Sequence, residues 1–341
     1  KKCVQRAQKS QPNRPKSKLQ VHETVEKSDL RTVRKELFSK LNDKENNIVI
    51  FSTDTNLNCL ASCSRFYADG TFSSSARHFY QLFSIHGIKN GHYIPLVFAL
   101  LPDKSTSSYE IVFNFIKESC VAFQPIECVV DLEIGIHNAV KKAWPNISII
   151  LCRFHVTQAW YRNIQKHGLA SEYNNKTEFS EVSKWLHHIF GLLFLDPVEV
   201  ETSFVEDFMT ECPNDDRLQK FCDYFVDNYL DVDAPFPPIL WASASADTYR
   251  TTNSCESFHS KFSAYFYSAH PHLPAFLDAL LNYQLEVYIK IQSTNTPAIL
   301  RPIVKTKQKR VEDLLNQYWK GELPRYEFVK KASYHLSSGK K

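Results

Sequence analysis

Three acidic residues stand at positions where carboxylates could bind divalent metal ions. Asp69 follows the strand-like segment "SRFYA", Asp131 ends the short apolar run "IECVVD", and Glu256 lies in the helix-like segment "TYRTTNSCESFH". Two Mg²⁺ ions about 3.5–4 Å apart can stabilise the attacking and leaving oxygens of an in-line phosphoryl transfer. Taken singly, an Asp before a Gly is more often a turn residue, and Glu133 is interpreted as a solvated or capping acid. Only the combination of the three acids predicts a metal site.

The order of secondary-structure elements indicates how these acids could meet. Residues 64–101 form three β-rich segments, and "KNG" predicts a hairpin turn between the last two. A helix over residues 108–123, the strand ending at Asp131, a helix over 134–143, the strand "ISIILC" and another helix follow. Helices between the later strands imply parallel pairing. We therefore predict an α/β fold, a ribonuclease-H-like mixed sheet flanked by helices, in which Asp69 and Asp131 are neighbours.

The remaining segments differ in composition. Residues 1–47 carry 13 Lys and Arg against 6 Asp and Glu, and residues 301–341 carry 11 against 4. Residues 172–247 carry 4 against 16 and show helical spacing. The predicted organisation is a basic flexible tail or linker (1–28), an N-terminal helical segment and lead-in with its helix over 30–41 (29–63), the first part of the core (64–171), an acidic all-helical insertion (172–247), the return to the core with the Glu256 helix (248–292), and a basic C-terminal segment (293–341).

Several of these segments together resemble the Mutator-like element transposases. The frames "ADGTF", "VVDLEIGIHNAVKKAWPNISIILCRFHVTQAWYRNI" and "RTTNSCESFH" occur in the family's order, over about residues 48–259. The resemblance implies metal-dependent cleavage of transposon ends and strand transfer into target DNA. It implies that Asp69, Asp131 and Glu256 are the catalytic triad and the ligands of two divalent ions, Mg²⁺ or Mn²⁺. It also places the helical insertion between the second and third acids and implies a DNA-binding domain before Lys1.

"CRFH" is a second motif, and the family shows this Cys-x-x-His signature after its second Asp. Cys152 and His155 would supply half of a tetrahedral zinc site, but no second half-motif is evident among the other Cys and His residues, His259 included. We therefore expect a structural or DNA-proximal role for Cys152, His155 and His259, and do not favour zinc. Arg250 and Asn253 could contact phosphates beside the scissile bond, although an N-cap role is as plausible for Asn253 or its neighbours.

The partners and the location follow from the same resemblance. DNA is the expected partner, and the basic ends suit phosphate binding, although charged tails could also serve solubility alone. A homodimer or higher oligomer is expected because two transposon ends must be held together. Nine Cys with no secretory leader, and no apolar stretch long enough to cross a bilayer, predict an intracellular, nuclear protein.

Two alternative functions remain open at this stage. A transposase-derived DNA-binding or transcriptional regulator would keep the fold without catalysing a reaction. A ribonuclease or another nuclease would use the same fold on a different substrate. The Ser, His and Cys residues show no pairing of a nucleophile with a base. A hydrolase mechanism through a covalent intermediate therefore has no support in the sequence.

Overall fold

A mixed β-sheet forms the centre of the protein. The computed structural model describes residues 15–175 and 180–335. Within them seven strands pair in the order β1-β2-β5-β4-β3-β6-β7. β3 is antiparallel to β4 and parallel to β6, so the predicted α/β class with a mixed sheet is confirmed. The strands are β1 (Ser39–Asp43), β2 (Ile48–Phe51), β3 (Arg65–Thr71), β4 (Gln81–Lys89), β5 (His92–Leu101), β6 (Glu127–Val130) and β7 (Ser148–Leu151).

Helices precede, connect and follow these strands. They are α1 (Lys18–Lys27), α2 (Asp54–Ala61), α3 (Thr106–Ser119), α4 (Ile134–Ala143), α5 (Arg153–Lys166), α6 (Ala170–Asn174), α7 (Glu181–His188), α8 (Val200–Thr202), α9 (Asp216–Phe225), α10 (Pro238–Trp241), α11 (Asn253–Ser263), α12 (Leu273–Ser293), α13 (Pro302–Trp319) and α14 (Arg325–Ser333). Shorter 3₁₀ turns cover Ile189–Phe194 and Pro197–Glu199, and π-helical segments cover Ser203–Phe208 and Val226–Leu230. Among the described residues, no helix is long and apolar enough to cross a membrane.

The predicted meander and its hairpin are confirmed. β3, β4 and β5 are successive antiparallel neighbours, and Lys89 pairs with His92 across a two-residue turn. Asn90 and Gly91, the turn residues, have φ values of 48° and 78°. Two successive positive φ values match the twist of the flanking strands, and Asn-Gly adopts them at low cost. Local turn chemistry therefore fixes the register of the two longest strands.

The helix predicted over residues 30–41 is wrong. Lys35 has φ 65°, which a right-handed helix does not allow. Arg31 forms an isolated bridge with Leu37, and β1 begins at Ser39. β1 pairs with the wholly buried β2, a strand that the sequence analysis missed. Pairing at the sheet edge outweighs the helical spacing of the apolar residues.

A helix occupies part of the segment predicted to be a flexible tail. The side chain of Ser17 accepts a hydrogen bond from the backbone N–H of Gln20, which caps the start of α1. Val21 and Val25, one turn apart, are buried. The flexible-tail prediction is therefore wrong for residues 18–27, whereas residues 1–14 lie outside the described residues.

The chain divides into two compact units, each built from two separate stretches. Unit 1 contains the described residues up to Ile149 together with Thr252–Ile299. Unit 2 contains Ile150–Thr251 and the described residues from Leu300 onward. The described residues of the predicted insertion form helical elements and no strand. Unit 2 is nevertheless wider than that insertion, because it begins earlier and includes α13 and α14.

Each unit has an aromatic core of its own. In unit 1, Phe66 on β3 packs against Phe113, Phe123 and Trp144, with ring centroids 5.8–6.1 Å apart. In unit 2, the buried ring of Trp160 on α5 contacts four aromatic rings at 5.0–5.6 Å, those of Phe190, Phe225, Tyr229 and Trp241. Edge-to-face aromatic pairs add about 0.5–1.5 kcal/mol each to the burial of their area.

Candidate active site

Asp69 lies inside β3 and is buried. It pairs with Ser84 of β4, so the Asp-Gly sequence is not a turn here. The side chain is held by two contacts: its Oδ1 accepts a hydrogen bond from the N–H of Gly70 at 2.9 Å, and its Oδ2 lies 3.5 Å from Nδ1 of His259. A carboxylate fixed in this way on a central strand has a defined position.

The parallel register of β3 and β6 runs the two strands in the same direction. Arg65 pairs with Glu127, and Tyr67 pairs with Val129. Asp69 and Asp131 each follow the last paired residue of their segment, Tyr67 and Val129, by two positions. Arg65 and Asp69 are four residues apart and share a face of the strand. The Arg65–Glu127 ion pair, at 2.6 Å, demonstrates that facing side chains on this face meet.

Glu256 reaches the same region from a helix. It lies in the first turn of α11, and His259 lies three residues further along. Residues at this spacing share one face of a helix, with Cβ atoms about 5–6 Å apart. Because the ring of His259 contacts Asp69, Glu256 is one helical turn from the residue that touches the first acid. One side-chain oxygen of Glu256, Oε1, is buried.

His259 belongs to a buried polar group that the sequence analysis did not assign. Its Nε2 lies 2.9 Å from Oγ of Ser84, and Nε2 of His86 lies 3.0 Å from the same oxygen. Burial lowers the pKa of His259 to about 3. Burial, with the charges of His259 and Lys290, lowers the pKa of His86 well below its usual value. Both rings are therefore neutral at pH 7, and His259 makes a polar contact with Asp69 rather than an ion pair.

A second set of contacts fixes Asp131. Its Oδ1 accepts a hydrogen bond from the N–H of Glu133 at 3.0 Å. Glu133 begins α4 as its N-cap residue, but its carboxylate accepts hydrogen bonds from Tyr109 and from Lys104, the latter at 2.6 Å. Burial opposes the charge of Lys104, yet the Glu133 hydrogen bond raises the Lys104 pKa. Glu133 is thus the N-cap residue of α4, one of the two roles expected for it, but its carboxylate is largely buried and bonded to Tyr109 and Lys104 rather than solvated.

These contacts connect β4, the neighbour of β3, with the segment that follows β6. The side-chain amide of Gln81 donates to Oη of Tyr109 at 2.7 Å, and Tyr109 donates to Glu133. Gln81 also explains why a glycine follows Asp69, since a Cβ on Gly70 would lie 2.2 Å from Gln81 Oε1. The "DGT" and "DLE" frames therefore belong to one packed arrangement. Spacing in the sequence does not reveal it, because it depends on β4 and α3.

The acids do not form a preassembled metal cage. Within residues 15–175 and 180–335, no three His, Cys, Asp or Glu side chains are grouped so that they could hold an ion. Mg²⁺ is commonly bound through one or two carboxylates, together with water and substrate phosphates. Asp69 and Asp131 are carboxylates of the kind that such binding uses.

The remaining predicted residues lie around the starts of two helices. Cys152 is buried at the N-cap position of α5, and His155 lies in the first turn, its ring 5.5 Å from that of Phe154. Arg250 is buried, with Nη2 3.4 Å from the carbonyl oxygen of Trp241. Asn253 is the first, exposed residue of α11. Cys152, His155 and Arg250 belong to unit 2, whereas Asn253, His259 and the three acids belong to unit 1.

Comparison with known proteins gives one family match. Residues 66–159 match the model of the family described as "MULE transposase domain". The matched segment contains Asp69, Asp131, Cys152 and His155, and Glu256 lies beyond it. A comparison with curated proteins gives no match.

Proposed function

We propose that this chain is a DNA transposase, since residues 66–159 match the model of the MULE transposase domain, the family that the sequence motifs resemble. The reaction would be metal-dependent cleavage of transposon ends and strand transfer into target DNA. The observation that carries this proposal is the β3–β6 register, which supports a pair of carboxylates, Asp69 and Asp131, at one level of the sheet. The strand order, a meander followed by parallel β6, supports a ribonuclease-H-like core.

Each acid has a distinct part in this proposal. Asp69 and Asp131 would hold divalent metal ions, Mg²⁺ or Mn²⁺, and Glu256 would complete the ligand set from α11. When bound, such ions stabilise the charge on the attacking and leaving oxygens of a phosphodiester. The protein's own contribution is to hold the carboxylates still: His259 contacts Asp69, and the N–H of Glu133 orients Asp131. Fixed carboxylates need no rearrangement when the reaction begins.

The test uses substitutions that remove a ligand charge and keep the side-chain size. Asp69→Asn, Asp131→Asn and Glu256→Gln should each abolish Mn²⁺-dependent nicking of labelled terminal-repeat DNA and leave DNA affinity largely intact. Asp278→Asn, at an exposed position of α12, is the matched control and should cleave like the unaltered protein. Nicking at the control rate by any of the three variants would remove that residue from the site.

The same assay separates the alternative functions. A chain that binds terminal-repeat DNA but neither nicks it nor joins it to a plasmid would be a transposase-derived regulator. Nicking without strand transfer would indicate a nuclease. The partners proposed are DNA and a second copy of this chain, and the location proposed is the nucleus. Sedimentation of the protein bound to paired and to single DNA ends would test whether a second copy of the chain is present in the complex.

A further inference from the structure

The guanidinium of Arg153 is buried at the start of α5, and one of its edges has no protein partner. Its Nε and Nη2 atoms are buried, and neither has a hydrogen-bond partner among the residues that the structure describes. These two nitrogens form one side of the planar group, the fork that binds two oxygens of a carboxylate or phosphate at once. The unpaired donors are thus the pair suited to an oxyanion.

Charged groups of both signs lie near Arg153. Burial and, next, the charge of Arg250 lower the pKa of Arg153 to about 9, while Asp247 and Cys152 oppose the shift. The carboxylate of Asp247 accepts a hydrogen bond from the N–H of Tyr249 at 2.7 Å, within its own turn. The unpaired fork of Arg153 carries a positive charge, and a phosphodiester carries one negative charge.

The start of α5 reinforces this preference. Arg153 is its first residue, no acidic residue lies in the first turn, and the Arg153 N–H donates to the carbonyl oxygen of Arg250 at 2.9 Å. The N-terminus of a helix attracts anions and disfavours a cation such as Arg. The ring of Phe194, 4.5 Å from Cζ of Arg153, holds the guanidinium plane in one orientation. A bound anion would remove both unfavourable effects.

We propose that Arg153, with Arg250, forms a binding site for a phosphate oxyanion. The site rests on the residues just described. Its natural ligand, a backbone phosphodiester of DNA, rests in addition on the proposed function, and free inorganic phosphate shares the same chemistry. Because Nε and Nη2 are shielded from solvent, entry of the oxyanion requires local movement around the start of α5.

The experiment compares Arg153→Lys with Arg162→Lys in the whole chain. Both changes keep the charge and remove the fork, but Arg162 is exposed on the last turns of the same helix. Two quantities are measured: duplex-DNA affinity, and the melting temperature in sodium phosphate against sodium chloride at equal ionic strength. We expect Arg153→Lys to weaken DNA binding about tenfold, as for loss of a charge-assisted hydrogen bond, and to abolish the phosphate-specific rise in melting temperature. Arg162→Lys should change neither.

Each outcome has a definite meaning. Loss of both effects in Arg153→Lys supports a DNA-phosphate site, whereas loss of the phosphate effect alone supports a site for free phosphate. An unaltered protein that melts at the same temperature in phosphate and chloride would overturn the site, even if Arg153→Lys fails to fold. Equal weakening by Arg162→Lys would also overturn it, since general electrostatics would then explain the result. The cleavage assay on the three acids is independent, because those variants should keep their DNA affinity.

Discussion

Replacing His259 by leucine separates the positioning of Asp69 from the stability of the buried polar group. The substitution keeps a similar volume and removes both nitrogen contacts, to Ser84 at 2.9 Å and to Asp69 at 3.5 Å. The loss of a buried hydrogen bond should lower the free energy of unfolding by about 1–3 kcal/mol. The loss of a residue that orients a metal-ligand carboxylate should lower the cleavage rate about 10–100-fold.

His86→Leu is the matched control. His86 is as deeply buried as His259 and contacts the same Ser84 oxygen, at 3.0 Å. Of these two histidines, His259 is the one for which the structure gives a contact with the Asp69 side chain. The two variants should therefore lose a similar free energy of unfolding. Only His259→Leu should in addition cleave DNA more slowly than its loss of stability explains.

The assay combines urea unfolding with single-turnover nicking of labelled DNA at saturating Mn²⁺ and protein. The rate at saturation reports the chemical step rather than binding. Equal nicking rates for the two folded variants would refute the idea that His259 positions Asp69. A large loss of stability in His259→Leu alone would refute the expectation that the two substitutions lower the free energy of unfolding by similar amounts.

Two further predictions concern unit 2. Gly191→Ala should destabilise the protein by about 1–3 kcal/mol, because a Cβ there would lie 2.0 Å from the carbonyl oxygen of Val329. A free energy of unfolding in urea equal to or above that of the unaltered chain would contradict this. Burial, followed by the charge of Lys330, lowers the pKa of His188 to about 4. The unfolded chain takes up this proton near pH 6.5, so the stability from a neutral His188 is present above pH 6.5 and is lost as the pH falls towards 4. His188→Phe should therefore reduce the fall in the free energy of unfolding between pH 6.5 and pH 4. An unchanged dependence of that free energy on pH would count against this role of His188.

The sequence predicted the elements whose signals are local. The hairpin at Asn90 and Gly91 follows from turn chemistry, and α4 begins and ends where its spacing and the following Trp144-Pro145 indicate. The N-terminal region was mispredicted because its structure is set by pairing. Lys35 adopts a positive φ, and β1 joins the sheet edge although the apolar spacing favours a helix.

The candidate site was predictable only in part, for the same reason. Asp69 and Asp131 could be selected as strand-end acids, but their relative position depends on how β3 and β6 pair. Ser84 and Glu133 carry no motif that points to the site. Their roles arise from antiparallel pairing and from the Tyr109 and Lys104 contacts, which join residues far apart in the chain.

The division of unit 2 between two stretches of chain has a consequence for synthesis. The 3₁₀ segment Ile189–Phe194 is covered by α14, where Gly191 meets Val329, and Arg325 forms an ion pair with Asp207 at 2.7 Å. These partners leave the ribosome more than a hundred residues after Gly191. At 5–20 residues per second, the apolar surface around Gly191 waits roughly 7 to 28 seconds for its cover. The nascent helical unit is therefore a chaperone substrate for that interval, and a stop codon before α14 leaves it permanently open.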